Sequence, residues 1–187
     1  LESATSSGEI NKNSDEYINK SISLFFNFFK SKYSLVTNKY KMFGHSAGAQ
    51  FTHRYMLLSD DRRISNAVIA NAGWYTFLNG ENFPYGIKNT PIDISNDHIK
   101  WFMSNKASLL IGNNDTKLNN VNSSKGAMRQ GVTRVDRANT YFKSLVNIAD
   151  TNNIAFRWSF KVIDGVSHDY TKMTPVAAKI LLQDINS

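Results

Sequence analysis

The stretch Gly44-His45-Ser46-Ala47-Gly48 fits the pattern G-x-S-x-G, with a short apolar run before it and helically spaced apolar residues after it. A strand that turns abruptly into a helix puts the serine at a strained corner and exposes its hydroxyl. The glycines are expected there because side chains at 44 and 48 would collide with adjacent backbone. A serine hydroxyl is a weak nucleophile and needs a base, most often a histidine held by a carboxylate. The N-terminus of the following helix offers backbone N–H groups and a positive dipole end to a developing oxyanion, and Ala47 is expected to supply one such N–H.

Four histidines are available as the base. His45 lies inside the turn, where adjacency directs its ring away from the serine hydroxyl. His53 falls on the helix beyond, and His98 in a polar helix. His168 follows a C-terminal strand in "KVIDGVSHDY" and is the expected base. The carboxylate should stand at the end of a strand between serine and histidine. Asp115 does so in "SLLIGNNDT", after an apolar run ending at Ile111; Asp164 also ends a strand and is the alternative, although a turn role suits it better. Trp74, Tyr75 and Phe77 follow another strand end, and Trp74, Tyr75 and His45 are expected on the substrate side. Packing beneath a loop would use the same aromatic residues equally well. Arg129, Arg134 and Arg137 offer cations for an anionic substrate, against the simpler reading of a solvated helix face. The histidines lack the paired spacing of zinc motifs, so neither a metal nor any other cofactor is expected.

These residues need a scaffold, and the apolar pattern supplies one. Ser14 to about Tyr33 reads as an amphipathic helix with Ser14 as N-cap, Lys39 to Phe43 as a short buried strand and Ala49 to Leu58 as a helix. Ala67 to Ala70 has the length and content of a central strand. Leu78 to Ser95 is long and irregular, with Pro84, Pro91, Gly80 and Gly86, and is a candidate lid. A short helix over Asn96 to Asn105 and a strand over Ser108 to Ile111 follow. "KLNNVNSSKGAMRQG" reads as a flexible stretch, Arg134 to Asp150 as a helix and "AFRWSFKVID" as a strand. Thr174 to Asp184 reads as a closing helix with Pro175 at its first position. Alternation of helix and strand predicts an α/β fold with a parallel sheet between helices.

Composition narrows the classes. The chain has 187 residues, enough for one domain, with a polar segment over 1–13 and the domain proper over 14–187. It contains no cysteine, which excludes disulfides and a thiolate nucleophile. No apolar run approaches the roughly 20 residues that span a bilayer. The net charge of +7 raises nucleic acid as a partner, but the 22 Lys and Arg are scattered, so no nucleic-acid binding is expected. The compartment stays open: cytoplasmic, or exported after removal of a signal.

With the turn, "NAGWYT", "FPYG", "GNNDT" and "GVSHDY" in view, the chain resembles the α/β-hydrolase superfamily. It is similar to a bacterial esterase-like branch related to polyhydroxyalkanoate depolymerases and feruloyl esterases. The resemblance covers roughly Ser14 onward. It implies a three-layer α/β-hydrolase sheet with flanking helices, and a catalytic order of Ser46, Asp115 and His168, each at the end of a successive strand. The expected activity is hydrolysis of a small-molecule or polymeric carboxylic ester through an acyl-enzyme on Ser46. The alternatives are a serine peptidase or amidase and a non-catalytic hydrolase-like binding protein. In that superfamily several strands precede the serine's strand and one of their loops gives the second oxyanion N–H. The resemblance therefore implies an N-terminal segment or companion chain that completes the sheet.

Overall fold

The computed structural model describes residues 19–183. The polar segment over 1–13, the expected N-cap Ser14 and the end of the closing helix at Asp184 lie outside the described residues. Helix α1 (Asn19–Lys32) leads to strand β1 (Tyr40–His45), helix α2 (Ala47–Leu58) and strand β2 (Ile64–Ala70). Helix α3 (Asn96–Ser104), strand β3 (Ala107–Gly112), helices α4 (Lys125–Gln130) and α5 (Arg134–Asn152), strand β4 (Trp158–Ile163) and helix α6 (Tyr170–Leu182) complete the order. The four strands pair in parallel in the order β1-β2-β3-β4, so every chain reversal is made through helices or long loops.

Strands β2 and β3 are apolar almost throughout because both of their faces are covered. Ala67, Ile69, Leu109 and Ile111 face a large core with Tyr55, Met56 and Leu57 of α2, Phe102 of α3 and Tyr141 and Leu145 of α5. The alternate residues Val68, Ala70 and Leu110 meet Met173, Ala177 and Ile180 of α6 on the other face. Helices, sheet and helix thus make three layers.

Capping explains most of the helix starts. Ser95 and Ser124 accept from the backbone N–H groups of His98 and Ala127, and Thr133 with Asp136 forms a capping box at α5. Helix α6 begins four residues before the expected Thr174, because the Asp169 carboxylate accepts from the Thr171 N–H and caps the chain there. Pro175 consequently sits inside the helix rather than at its first position. The stretch expected to be flexible contains α4, nucleated by the Ser124 cap.

Segment 78–95 has no helix or multi-residue strand, yet it is well tied. Phe83 is buried, the Thr76 hydroxyl donates to the Pro84 carbonyl at 2.7 Å, and Ile87, Ile92 and Ile94 pack on the core. Asp61 accepts hydrogen bonds from Ser23, Tyr40 and Arg63, joining α1 and β1 to the start of β2. Among the described residues no helix is long and apolar enough to cross a membrane.

Candidate active site

The C-terminal ends of β1, β3 and β4 lie along one edge of the parallel sheet, and each delivers a polar residue to the same place. Ser46 follows β1 directly and occupies the N-cap position of α2, without a side-chain cap, at φ 56° and ψ −117°, a conformation that costs a non-glycine residue about 1–3 kcal/mol. Its N–H donates to the Ala70 carbonyl at 2.9 Å, fixing the corner to β2. Gly44 is required for this turn: a Cβ there would lie 2.2 Å from the Gly48 carbonyl oxygen. Gly48 is not required in the same way, since a Cβ there meets nothing within 4 Å. The expected collision at 48 is therefore corrected; that residue faces open space at the start of α2.

Asp115 sits on the turn after β3 and is only 1% exposed. One carboxylate oxygen accepts from His168 Nδ1–H at 2.7 Å and the other from Arg134 Nη1–H at 3.1 Å. With Nδ1 donating to a carboxylate, Nε2 carries the lone pair, and the Ser46 hydroxyl lies 2.9 Å from it. Serine, imidazole and carboxylate are thus in one hydrogen-bonded line. That line can withdraw a proton from the hydroxyl as it attacks an electrophile and hold the resulting imidazolium against Asp115. Asp164, the alternative acid, instead accepts from the Asn113 side chain at 2.6 Å on an exposed turn.

The loop carrying His168 closes tightly on β3. A Cβ at Gly112 would come within 2.2 Å of the Val166 carbonyl oxygen, so glycine there lets the two strand ends approach. Asn71, at the end of β2 with φ 50°, ties the edge together. Its side chain donates to the Ser167 carbonyl at 3.1 Å and accepts from the Gly112 N–H at 3.0 Å. Sequence reasoning missed Asn71, although a polar residue directly after the apolar run of β2 was the signal.

Arg134 and Arg137 are 4% and 0% exposed, which overturns the solvated-face reading for both. Arg137 donates to the carbonyls of Gly131, Gly73 and Asn122 and serves as a backbone clasp. Arg134 stands at the first position of α5, where a cation opposes the helix dipole and needs an anion, here Asp115. Arg129 is paired with Glu81 instead.

The expected substrate-side residues separate. His45 has its ring centroid 4.8 Å from that of His168, and burial first, with the His168 imidazole beside it, keeps its pKa below the usual histidine value. Tyr75 is 0% exposed and stacked on Tyr141 within the core, so its expected place on the substrate side is corrected to core packing. Trp74 is buried between Tyr85 and the Arg54 guanidinium and does not line the cavity beside Ser46, so its expected place there is corrected to packing as well. Ala47 is exposed at the first position of α2, where its N–H has no acceptor within the helix. The cavity beside Ser46 holds about 480 Å³ and is lined by polar residues throughout, among them Asn114, Lys117, Asn120, Arg134 and His168. Among the described residues no group of three or more His, Asp or Glu is placed to hold a metal ion.

No family model and no curated protein matches the sequence. Solved structures do. A poly(aspartic acid) hydrolase from Sphingomonas sp. KT-1 superposes with a TM-score of 0.86 at 31% identity, over 96% of this chain and 68% of that one. A poly(3-hydroxybutyrate) depolymerase from Bordetella parapertussis gives a TM-score of 0.85 at 26% identity, over 97% of this chain and 63% of that one. A ferulic acid esterase shares the fold at a TM-score of 0.57 and 14% identity. The chain thus spans about two thirds of the length of the first two.

Proposed function

The chain belongs to the α/β-hydrolase family, and from that premise we propose that it is a serine hydrolase cleaving carboxylic esters through an acyl-enzyme on Ser46. The observation that carries this reading is the unbroken line from Ser46 through His168 to Asp115, with contacts of 2.9 and 2.7 Å. Ser46 Oγ attacks the ester carbonyl while His168 Nε2 takes its proton. Asp115 holds the imidazole in the Nδ1–H tautomer and stabilises the imidazolium. The tetrahedral oxyanion is met by the Ala47 N–H at the N-terminus of α2. Collapse expels the alcohol, which takes the proton from His168. Water, deprotonated by the same imidazole, then releases the acid and restores Ser46.

The same reading includes further polypeptide on the open side of β1 that supplies the second oxyanion N–H. Two features support this. Among the described residues strand β1 is an outer strand of the sheet, and α1 beside it leaves Leu24, Phe25, Phe28 and Phe29 exposed. A fully active natural monomer of 21.1 kDa contradicts that part of the reading.

A second reading, an amidase, is favoured by the 31% identity to the poly(aspartic acid) hydrolase. Rates on nitrophenyl esters beside aminoacyl anilides separate the two. The ester reading expects turnover of the esters with little or none of the anilides, and the reverse order overturns it.

A further inference from the structure

The cavity beside Ser46 has a chemical character that the hydrolase fold does not dictate. Its volume of about 480 Å³ lies in the range of small-ligand sites, roughly 300–1,000 Å³. Among the described residues no apolar side chain lines it. The aromatic residues that follow β2, Trp74 and Tyr75, are buried and do not line it. An alkyl chain entering the cavity would strip water from amides and a cation without gaining apolar contact.

The charges in the cavity do not cancel. Asp115 is spent on His168 and Arg134, and Arg134 is spent on Asp115 and on the Asn120 carbonyl. Lys117 is exposed and forms no ion pair among the described residues, so its ammonium is the uncompensated charge. The side-chain amides of Asn114 and Asn120 line the same space and carry no hydrogen bond among the described residues. One free cation flanked by free amide donors is a site for a carboxylate. The net charge of +7 adds a long-range attraction for anions.

We propose that the substrate bears a carboxylate near its scissile carbonyl, bound at Lys117 with Asn114 and Asn120. This rests on the proposed hydrolysis at Ser46 and names its substrate class. The test uses a matched pair, mono-4-nitrophenyl succinate and its methyl ester, which differ only in the distal charge. The expected kcat/KM ratio favours the anion about five- to tenfold at low salt and declines as salt is added. Lys117→Gln brings the ratio close to one. Lys143→Gln, which removes the same charge from an exposed position on α5, leaves the ratio in place. A wild-type ratio at or below one, an unchanged ratio in Lys117→Gln, or an equal fall in both variants overturns the proposal. Turnover of the methyl ester in any of those cases leaves the hydrolase reading standing. Failure to hydrolyse either ester overturns both.

Discussion

The two ends of the hydrogen-bonded line are built differently. At the acid end, Asp115 is enclosed, paired with a buried arginine and pinned where the His168 loop closes over Gly112. At the serine end, Ser46 turns off an outer strand in a strained backbone conformation, followed by exposed Ala47 and Gly48, and is held by backbone hydrogen bonds to the Ala70 carbonyl and from the Gln50 N–H. The same relay therefore carries two kinds of residue. Those at the acid end hold the fold as well as the hydrogen-bonded line, because a charge removed there leaves its partner buried and unpaired. At the serine end the Ser46 hydroxyl itself can be removed with little effect on the fold, because no buried charge depends on it.

Ser46→Ala offers the largest test of that contrast. Ester hydrolysis is expected to fall about a million-fold if chemistry limits turnover, with the melting temperature close to wild type. Asp115→Asn is expected to lose about 10⁴-fold in kcat and to melt earlier as well, since Arg134 loses its anion. Asp164→Asn, which disturbs only the Asn113 turn, is expected to have a weak effect on both. If Asp164→Asn proves the more damaging to kcat, the roles of the two acids are reversed.

Arg134→Gln tests the acid end directly. Removing one partner of a buried pair is expected to cost about 3–5 kcal/mol of stability, read by denaturant unfolding. Activity should fall by up to about 10²-fold as Asp115 shifts. Unchanged stability would place the acid end on the same footing as the serine end. The two glycines of the elbow make a smaller comparison. Gly44→Ala is expected to destabilise by about 1–3 kcal/mol through overpacking against Gly48, whereas Gly48→Ala should be tolerated.

His53, on α2 beyond the serine, tests the same region through pH. Burial, with Arg54 beside it, holds this imidazole down to about 3, against about 6.5 in an unfolded chain. Its Nε2 accepts from the Thr76 N–H at 3.0 Å, so the neutral form belongs to the fold. Between those pH values the unfolded chain binds a proton that the native chain refuses. Stability is therefore complete above about pH 6.5 and is lost as the pH falls towards 3, with a slope of up to about 1.4 kcal/mol per pH unit. His53→Gln should flatten that slope in unfolding measured across the same range.

Much of this arrangement was legible in the sequence, for reasons that hold residue by residue. Strand ends are marked by apolar runs that stop, so Ser46, Asp115 and His168 could each be placed after a strand, and the family resemblance implied their order. Side-chain direction is not marked in that way. Tyr75 follows a strand end as a pocket residue would, yet only its stacking on Tyr141 shows that it belongs to the core. Helical periodicity separates apolar from polar faces but does not tell which arginine finds a carboxylate. Arg134 and Arg137 looked like solvent residues for that reason, and the missed clue at Arg134 was its position against the α5 dipole. Helix α6 begins ahead of its apolar spacing because the cap at Asp169, and not the first apolar residue, sets its start.

The central claim is that Ser46 is the nucleophile, and one measurement bears on it most directly. The protein is treated with a fluorophosphonate, digested, and the modified peptide is identified by mass spectrometry. The account predicts one adduct per chain, on Ser46, that disappears when His168 is replaced by alanine. An unlabelled protein that still hydrolyses esters, or an adduct on any other serine, would contradict it.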